Sequence, residues 1–336
     1  MIIDGDMTDD GDGQVATPGE GSQLRQFSQR YQQGIGPDRI HFPVYTGLGN
    51  HDLDQDGPPP HVDWYRRELR DYVELNHRTT VFFKPPVPVL NYDVASDSYS
   101  WDWGGLHLVQ AHRFAGDTTK GAISGLPWLK NDLATYAADG RPVVLFQHYG
   151  WDQFSTERWD PVRRTFDDDG SVTPHWWSDA ERQALQSLLA QNNVIGIFHG
   201  HQHETAMVYQ HSGLDLFKPK AAFMGGFAVV HVTDDYLDVV FAEAVGGDGE
   251  VKFTNAFSKR LGSPVLTRCS ACRLSSCEGA VPWDRSRGPT RPRSACSRPT
   301  SCTTGRELEH PPTKRSTPSK HRMQIALHQV FRGSPI

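Results

Sequence analysis

The sequence predicts a mixed α/β fold in which sheets form a sandwich and helices cover its outside. Three observations lead there. Short apolar runs alternate with helical stretches along the first 264 residues. Later apolar runs follow one another across tight turns, as antiparallel hairpins do. Polar clusters recur where the apolar runs end, which is where open α/β sheets gather ligand groups.

Taken in order, "MIIDGDMTDDGDG" reads as a very short strand running into an acidic, glycine-rich loop. Ser22–Gln33 is a helix candidate, and "HFPVYTGLGNHD" (His41–Asp52) a second strand and loop. Asp63–Leu75 has helical character, with both charge signs on its exposed face. "SYSWDWGGLHLVQAHRF" predicts a hairpin around Gly104-Gly105, because adjacent glycines supply the positive φ angles a two-residue turn needs. Periodic Leu and Trp predict a helix over Leu126–Ala138. "RPVVLFQHYG" is a buried strand ending at His148. Ser178 with Glu181 three residues on forms a capping box that opens a helix over Ser178–Gln191. "VIGIFHGHQHE" (Val194–Glu204) is a strand ending in histidines. "AAFMGGFAVVHVTDDYLDVVFAEA" gives two antiparallel strands turning at Asp234-Asp235.

A chain of 336 residues is long enough for one large domain, and 37% hydrophobic residues with a mean hydropathy of -0.56 suit a folded enzyme. There is no apolar run of 18 residues, so no membrane span is expected. "MIIDGDMTDD" lacks the basic and apolar regions of a signal peptide, which places the protein in the cytoplasm as an expectation. Charge divides the chain. Residues 265–336 hold 13 basic and 4 acidic residues, whereas residues 1–264 hold 21 and 36. An acidic body argues against nucleic acid as the main partner. All five cysteines (Cys269, Cys272, Cys277, Cys296, Cys302) lie in the second part; Cys269-x2-Cys272 followed by Cys277 has zinc-type spacing but lacks a convincing second pair. The expected organisation is a domain over 1–264 and a basic, low-complexity tail over 265–336. That tail would be disordered, or the product of a shifted reading frame.

His199, His201 and His203 occupy alternate positions, which share one face of an extended chain. Protonated, they would repel one another; neutral, they are good ligands for a divalent metal. Three further strand-end clusters supply partners: "GDMTD" at Gly5–Asp9, "GNHD" at Gly49–Asp52 and "QH" at Gln147–His148. Carboxylate, amide and imidazole together suit two hard-to-borderline divalent ions.

In these clusters and their order, the sequence resembles the calcineurin-like metallophosphoesterase family over roughly Met1 to Ala244. The resemblance implies that family's β-sandwich flanked by helices. It implies hydrolysis of a phosphomonoester or phosphodiester by a metal-activated hydroxide, with two ions of manganese, iron or zinc. It implies that Asp6 bridges both metals, that Asn50, His148 and His201 bind the second, and that His203 binds the first. His51 would be the general acid, oriented by Asp52. His199 is left over as a structural residue. The family's opening Asp-x-His is absent, since none of the 16 histidines has Asp two positions before it. The expectation is a motif upstream of Met1; the alternative is a chain with one weak metal site, serving as a non-catalytic interaction domain.

Between His148 and Ser178 runs a long connection with Tyr149, Trp151, Arg158, Trp159, Arg163, Arg164, Trp176 and Trp177. It either walls the site, with Trp stacking on substrate and Arg holding phosphate, or packs onto the body. The expected partner is a small phosphoester, with no nucleic acid and no membrane. A third function class, nucleic-acid association through the basic tail, would show as steep salt dependence.

Overall fold

The computed structural model describes residues 1–8, 27, 29, 31, 44–53, 89–119, 122–160, 165–167, 177–246, 249–261 and 322–325. The strands are β1 (Ile2–Ile3), β2 (Tyr45–Thr46), β3 (Asn91–Tyr92), β4 (Tyr99–Trp103), β5 (Leu106–Gln110), β6 (Val143–Phe146), β7 (Arg158–Asp160) and β8 (Thr165–Asp167). They continue as β9 (Val194–Phe198), β10 (Met207–His211), β11 (Leu214–Lys218), β12 (Gly226–Val232), β13 (Tyr236–Val245), β14 (Glu250–Arg260) and β15 (Arg322–Ile325). The helices are α1 (Asn50–Leu53), α2 (Leu126–Tyr136), α3 (Gln153–Thr156) and α4 (Asp179–Leu189).

A seven-stranded sheet runs β10-β11-β9-β6-β5-β4-β3. Its centre, β11-β9-β6-β5, is parallel, and β10, β4 and β3 are antiparallel at the edges. A second sheet, β14-β13-β12-β15, is antiparallel. β1 and β2 pair in parallel, and β7 and β8 antiparallel.

Alternation along the strands makes two apolar layers. Val144 and Phe146 of β6 face Trp101, Phe198 and Phe217, and with them Val230 of β12 and Leu237, Val239 and Phe241 of β13. Val143 and Leu145 point the other way, onto Leu129 and Leu133 of α2 and Leu185 and Leu189 of α4. The result is the expected sandwich, with helices on the outer face of the larger sheet.

The predicted hairpin is present, with Gly104 at φ 57 and Gly105 at φ 91 between paired Trp103 and Leu106. The capping box is complete: Glu181 N–H donates to Ser178 Oγ at 3.3 Å, and Ser178 N–H to Glu181 Oε2 at 2.7 Å. The strands around Asp234-Asp235 pair from Gly226–Glu243 to Val232–Leu237. Of the helix expected at Ser22–Gln33, Phe27, Gln29 and Tyr31 are described as helical, with Phe27 buried and stacked on Tyr31 at 4.6 Å. The helix expected at Asp63–Leu75 lies outside the described residues. The tail does too, except for β15, which pairs with β12. β15 coincides with the start of "MQIALHQVF", the one apolar stretch of the tail. Among the described residues no helix is long and apolar enough to cross a membrane.

Candidate functional site

Two loops meet where β1 and β2 end. Gly5 sits at φ 119 and Asp6 at φ 51. This left-handed backbone is open to glycine and tolerated by aspartate. A Cβ at Gly5 would lie 2.7 Å from Gly49 N and from His148 Nδ1; one at Gly49 would lie 2.0 Å from Asp6 Oδ1. Side chains at either position would force the loops apart. His51 N–H donates to Asp6 Oδ1 at 3.0 Å.

The Asp52 carboxylate ties the two loops together. It accepts from Met7 N (3.1 Å), Thr8 N (3.0 Å), Thr8 Oγ1 (2.8 Å) and Gly49 N (2.8 Å). Four donors converge on one fully buried carboxylate. Burial, and then the charge of Asp6, push its carboxyl up to about 6 against the pull of these hydrogen bonds.

β6 and β9 bring the imidazoles to the same place. His148 Nδ1 meets Asp4 O at 3.1 Å, a contact that puts the ring proton on Nδ1. Nε2 then faces Asn50 Oδ1 at 3.0 Å and Asp6 Oδ2 at 3.2 Å. His201, at φ 69, brings its Nδ1 to 3.0 Å from the same Asn50 Oδ1. Asp6, Asn50, His148 and His201 are all buried. His148 Nε2 therefore faces two oxygens, an arrangement that calls for positive charge at that point. Burial opposes ionisation of Asp6, but His148, His51 and His201 outweigh it and hold its carboxyl well below the usual carboxylate range. Burial, and then the charge of His148, hold His201 well below the usual imidazole range.

These four residues form one contact set. The ring of His51 stands at its margin, partly exposed and close enough for its charge to act on Asp6. His203 follows on the loop after His201, with its ring edge-on to Phe223 at 5.1 Å. Among the described residues no group of three His, Cys, Asp or Glu side chains is spaced as a finished metal site. The donors contact one another instead of surrounding a common centre, and Asn50 is one of them. Asp9 lies outside the described residues.

Several supporting residues went unread in the sequence. Gln110 Nε2 donates to Ile3 O at 3.1 Å and Tyr99 Oη to Thr46 O at 2.7 Å, fixing β1 and β2 from beneath. His112 accepts from Leu48 N at 3.1 Å through Nδ1 and donates to Asp97 O at 2.7 Å through Nε2. It stands two residues past the end of β5, so the strand-then-histidine pattern was available to find it. His199 is structural. Tyr209 Oη lies 2.8 Å from its Nε2 and accepts from Trp151 N at 2.9 Å. A Cβ on Gly150 would lie 2.2 Å from the His199 ring.

The aromatic connection packs onto the body at both its described ends. Tyr149, Trp151 and Trp177 are buried in the helix-side core, with Trp151 edge-on to Trp177 at 4.8 Å. Trp177 also packs on Phe114 at 4.7 Å and Trp151 on His211 at 5.7 Å, so both indoles are engaged within the body. Tyr149 also covers the His201 ring at 4.8 Å. Arg158 and Trp159 lie in β7, whereas Arg163, Arg164 and Trp176 fall outside the described residues.

Comparison with known proteins gives three results. The sequence profile of the calcineurin-like phosphoesterases matches residues 1–205. A crystal structure of a dimetal phosphatase from Danio rerio is similar with a TM-score of 0.40 and 12% identity, over 65% of this chain and 72% of that one. No curated protein matches the chain.

Proposed function

The chain belongs to the calcineurin-like phosphoesterase family, and we propose that it hydrolyses small phosphoesters using metal ions held by Asp6, Asn50, His148, His201 and His203. The observation that carries this reading is the contact set around Asn50 Oδ1, where electron-rich donors lie 3.0–3.2 Å apart. That spacing suits neighbouring ligands on one cation, since bonds of about 2.1 Å at right angles put two donors about 3.0 Å apart. The donor types, two imidazoles with a carboxylate and an amide, suit manganese, iron or zinc. Asn50, His148 and His201 would hold one ion, His203 another, and Asp6 would face both. Bound ions would offset the charge of the phosphoryl oxygens and acidify the attacking water.

The protein's own groups do the rest. Asp4 O fixes the tautomer of His148, so Nε2 is the ligating atom. Asp52 holds Asp6 and Asn50 in register through the loop N–H groups it accepts. His51, partly exposed beside Asp6, is placed to give a proton to the leaving alkoxide. The 1–264 segment would carry this activity without the tail.

A second reading, a metal-poor interaction domain, is favoured by the lack of a finished three-residue metal site among the described residues. Turnover of p-nitrophenyl phosphate and bis(p-nitrophenyl) phosphate with Mn²⁺ separates the two. The hydrolase reading expects wild-type turnover, and His51→Ala to keep its Mn²⁺ while losing about 100-fold or more in kcat. Wild type that holds Mn²⁺ without turnover favours the second reading.

A further inference from the structure

Lys218 ends β11 beneath the loop that carries His201 and His203, and it is fully buried. Its ammonium donates to Gln202 O at 2.7 Å, to Gln202 Oε1 at 2.6 Å and to Thr205 O. All three donors are therefore used, on two residues that bracket His203. Gln202 Oε1 also accepts from Thr205 N at 3.0 Å, which closes the loop on itself around the ammonium. These acceptors are neutral. No carboxylate pairs with Lys218 among the described residues, and Asp152 acts on it only at longer range. Burying a cation without a counter-ion is costly, and an apolar side chain of the same length would fill this space more cheaply. Burial accordingly lowers its pKa to about 8.

We propose that Lys218 is a positioning residue for the metal-binding loop: by gripping Gln202 and Thr205 it sets where His201 and His203 present their rings. This rests on the reading of those histidines as metal ligands. The hold is independent of the contacts around Asn50, because it acts from under the loop, through its carbonyls, and touches neither imidazole.

The test is Mn²⁺ binding by the full chain, followed by titration alongside thermal unfolding in the absence of metal. Lys218→Met should fold and bind Mn²⁺ about 10- to 100-fold more weakly. A merely structural lysine would lower the melting temperature and leave the affinity of the folded protein unchanged. Folded Lys218→Met with wild-type affinity overturns the proposal. If Lys218→Met does not fold, Gln202→Ala decides. It removes one acceptor from a partly exposed side chain, and weaker Mn²⁺ binding supports the proposal while unchanged binding overturns it. Wild type that takes up no Mn²⁺ overturns the metal-site reading itself, and this proposal with it.

Discussion

Two glycines decide whether Asp6 can stand where it does. Both loops pass within van der Waals contact because neither Gly5 nor Gly49 carries a side chain. Gly49→Ala places a methyl 2.0 Å from Asp6 Oδ1, so the loops must separate. The expected cost is about 1–3 kcal/mol of stability, read by urea unfolding, together with loss of Mn²⁺ binding. Retained Mn²⁺ affinity in that variant would show that the loops do not interlock as described. The glycines themselves were legible, as parts of "GDMTD" and "GNHD". Their mutual contact was not, since it depends on two loops more than 40 residues apart. The same distance hid the role of Asp52. Its neighbour in sequence is His51, but its partners are Met7 and Thr8 in a loop the sequence cannot bring near.

Local signals made some elements plain and left others silent. The Gly104-Gly105 hairpin and the Ser178 capping box are encoded within a few residues, and both formed as expected. β14 was missed because its residues are almost all exposed, so no apolar alternation marks it; backbone pairing with β13 makes it a strand. The attachment of α2 to the β4–β5 hairpin was also silent. His107 lies between Asp132 Oδ2 (2.7 Å) and Asp102 Oδ1 (2.8 Å), and Ser100 Oγ donates to Asp132 Oδ1 at 2.7 Å. Burial opposes protonation of His107, but hydrogen bonds to Asp132 and Asp102 outweigh it and raise its pKa above 6.5. A raised folded-state pKa gives stability that is complete below the unfolded value and is lost as pH rises through the folded one. The stability advantage of wild type over His107→Gln should therefore shrink as the pH is taken from about 6 to about 9. Urea midpoints for both proteins across that range check this, and an advantage that grows with pH would contradict it.

At the scale of the whole molecule, the site exists because parallel strands end together. β1, β2, β6 and β9 each finish at a polar loop, and the sandwich brings these ends to one point. That much was readable, because each cluster follows an apolar run. The position of β15 beside β12 was not, since it lies some 90 residues further along the chain and, among the described residues, four of the tail take part. The central claim is that Asp6, Asn50, His148 and His201 form a cation site. Elemental mass spectrometry on full-length wild type, Asp6→Asn and His148→Ala, each loaded with Mn²⁺ and desalted, tests it most directly, with circular dichroism confirming the fold of each. Wild type should retain Mn²⁺ and both folded variants should lose it. A wild type without Mn²⁺, or variants that retain as much as wild type, would contradict the assignment.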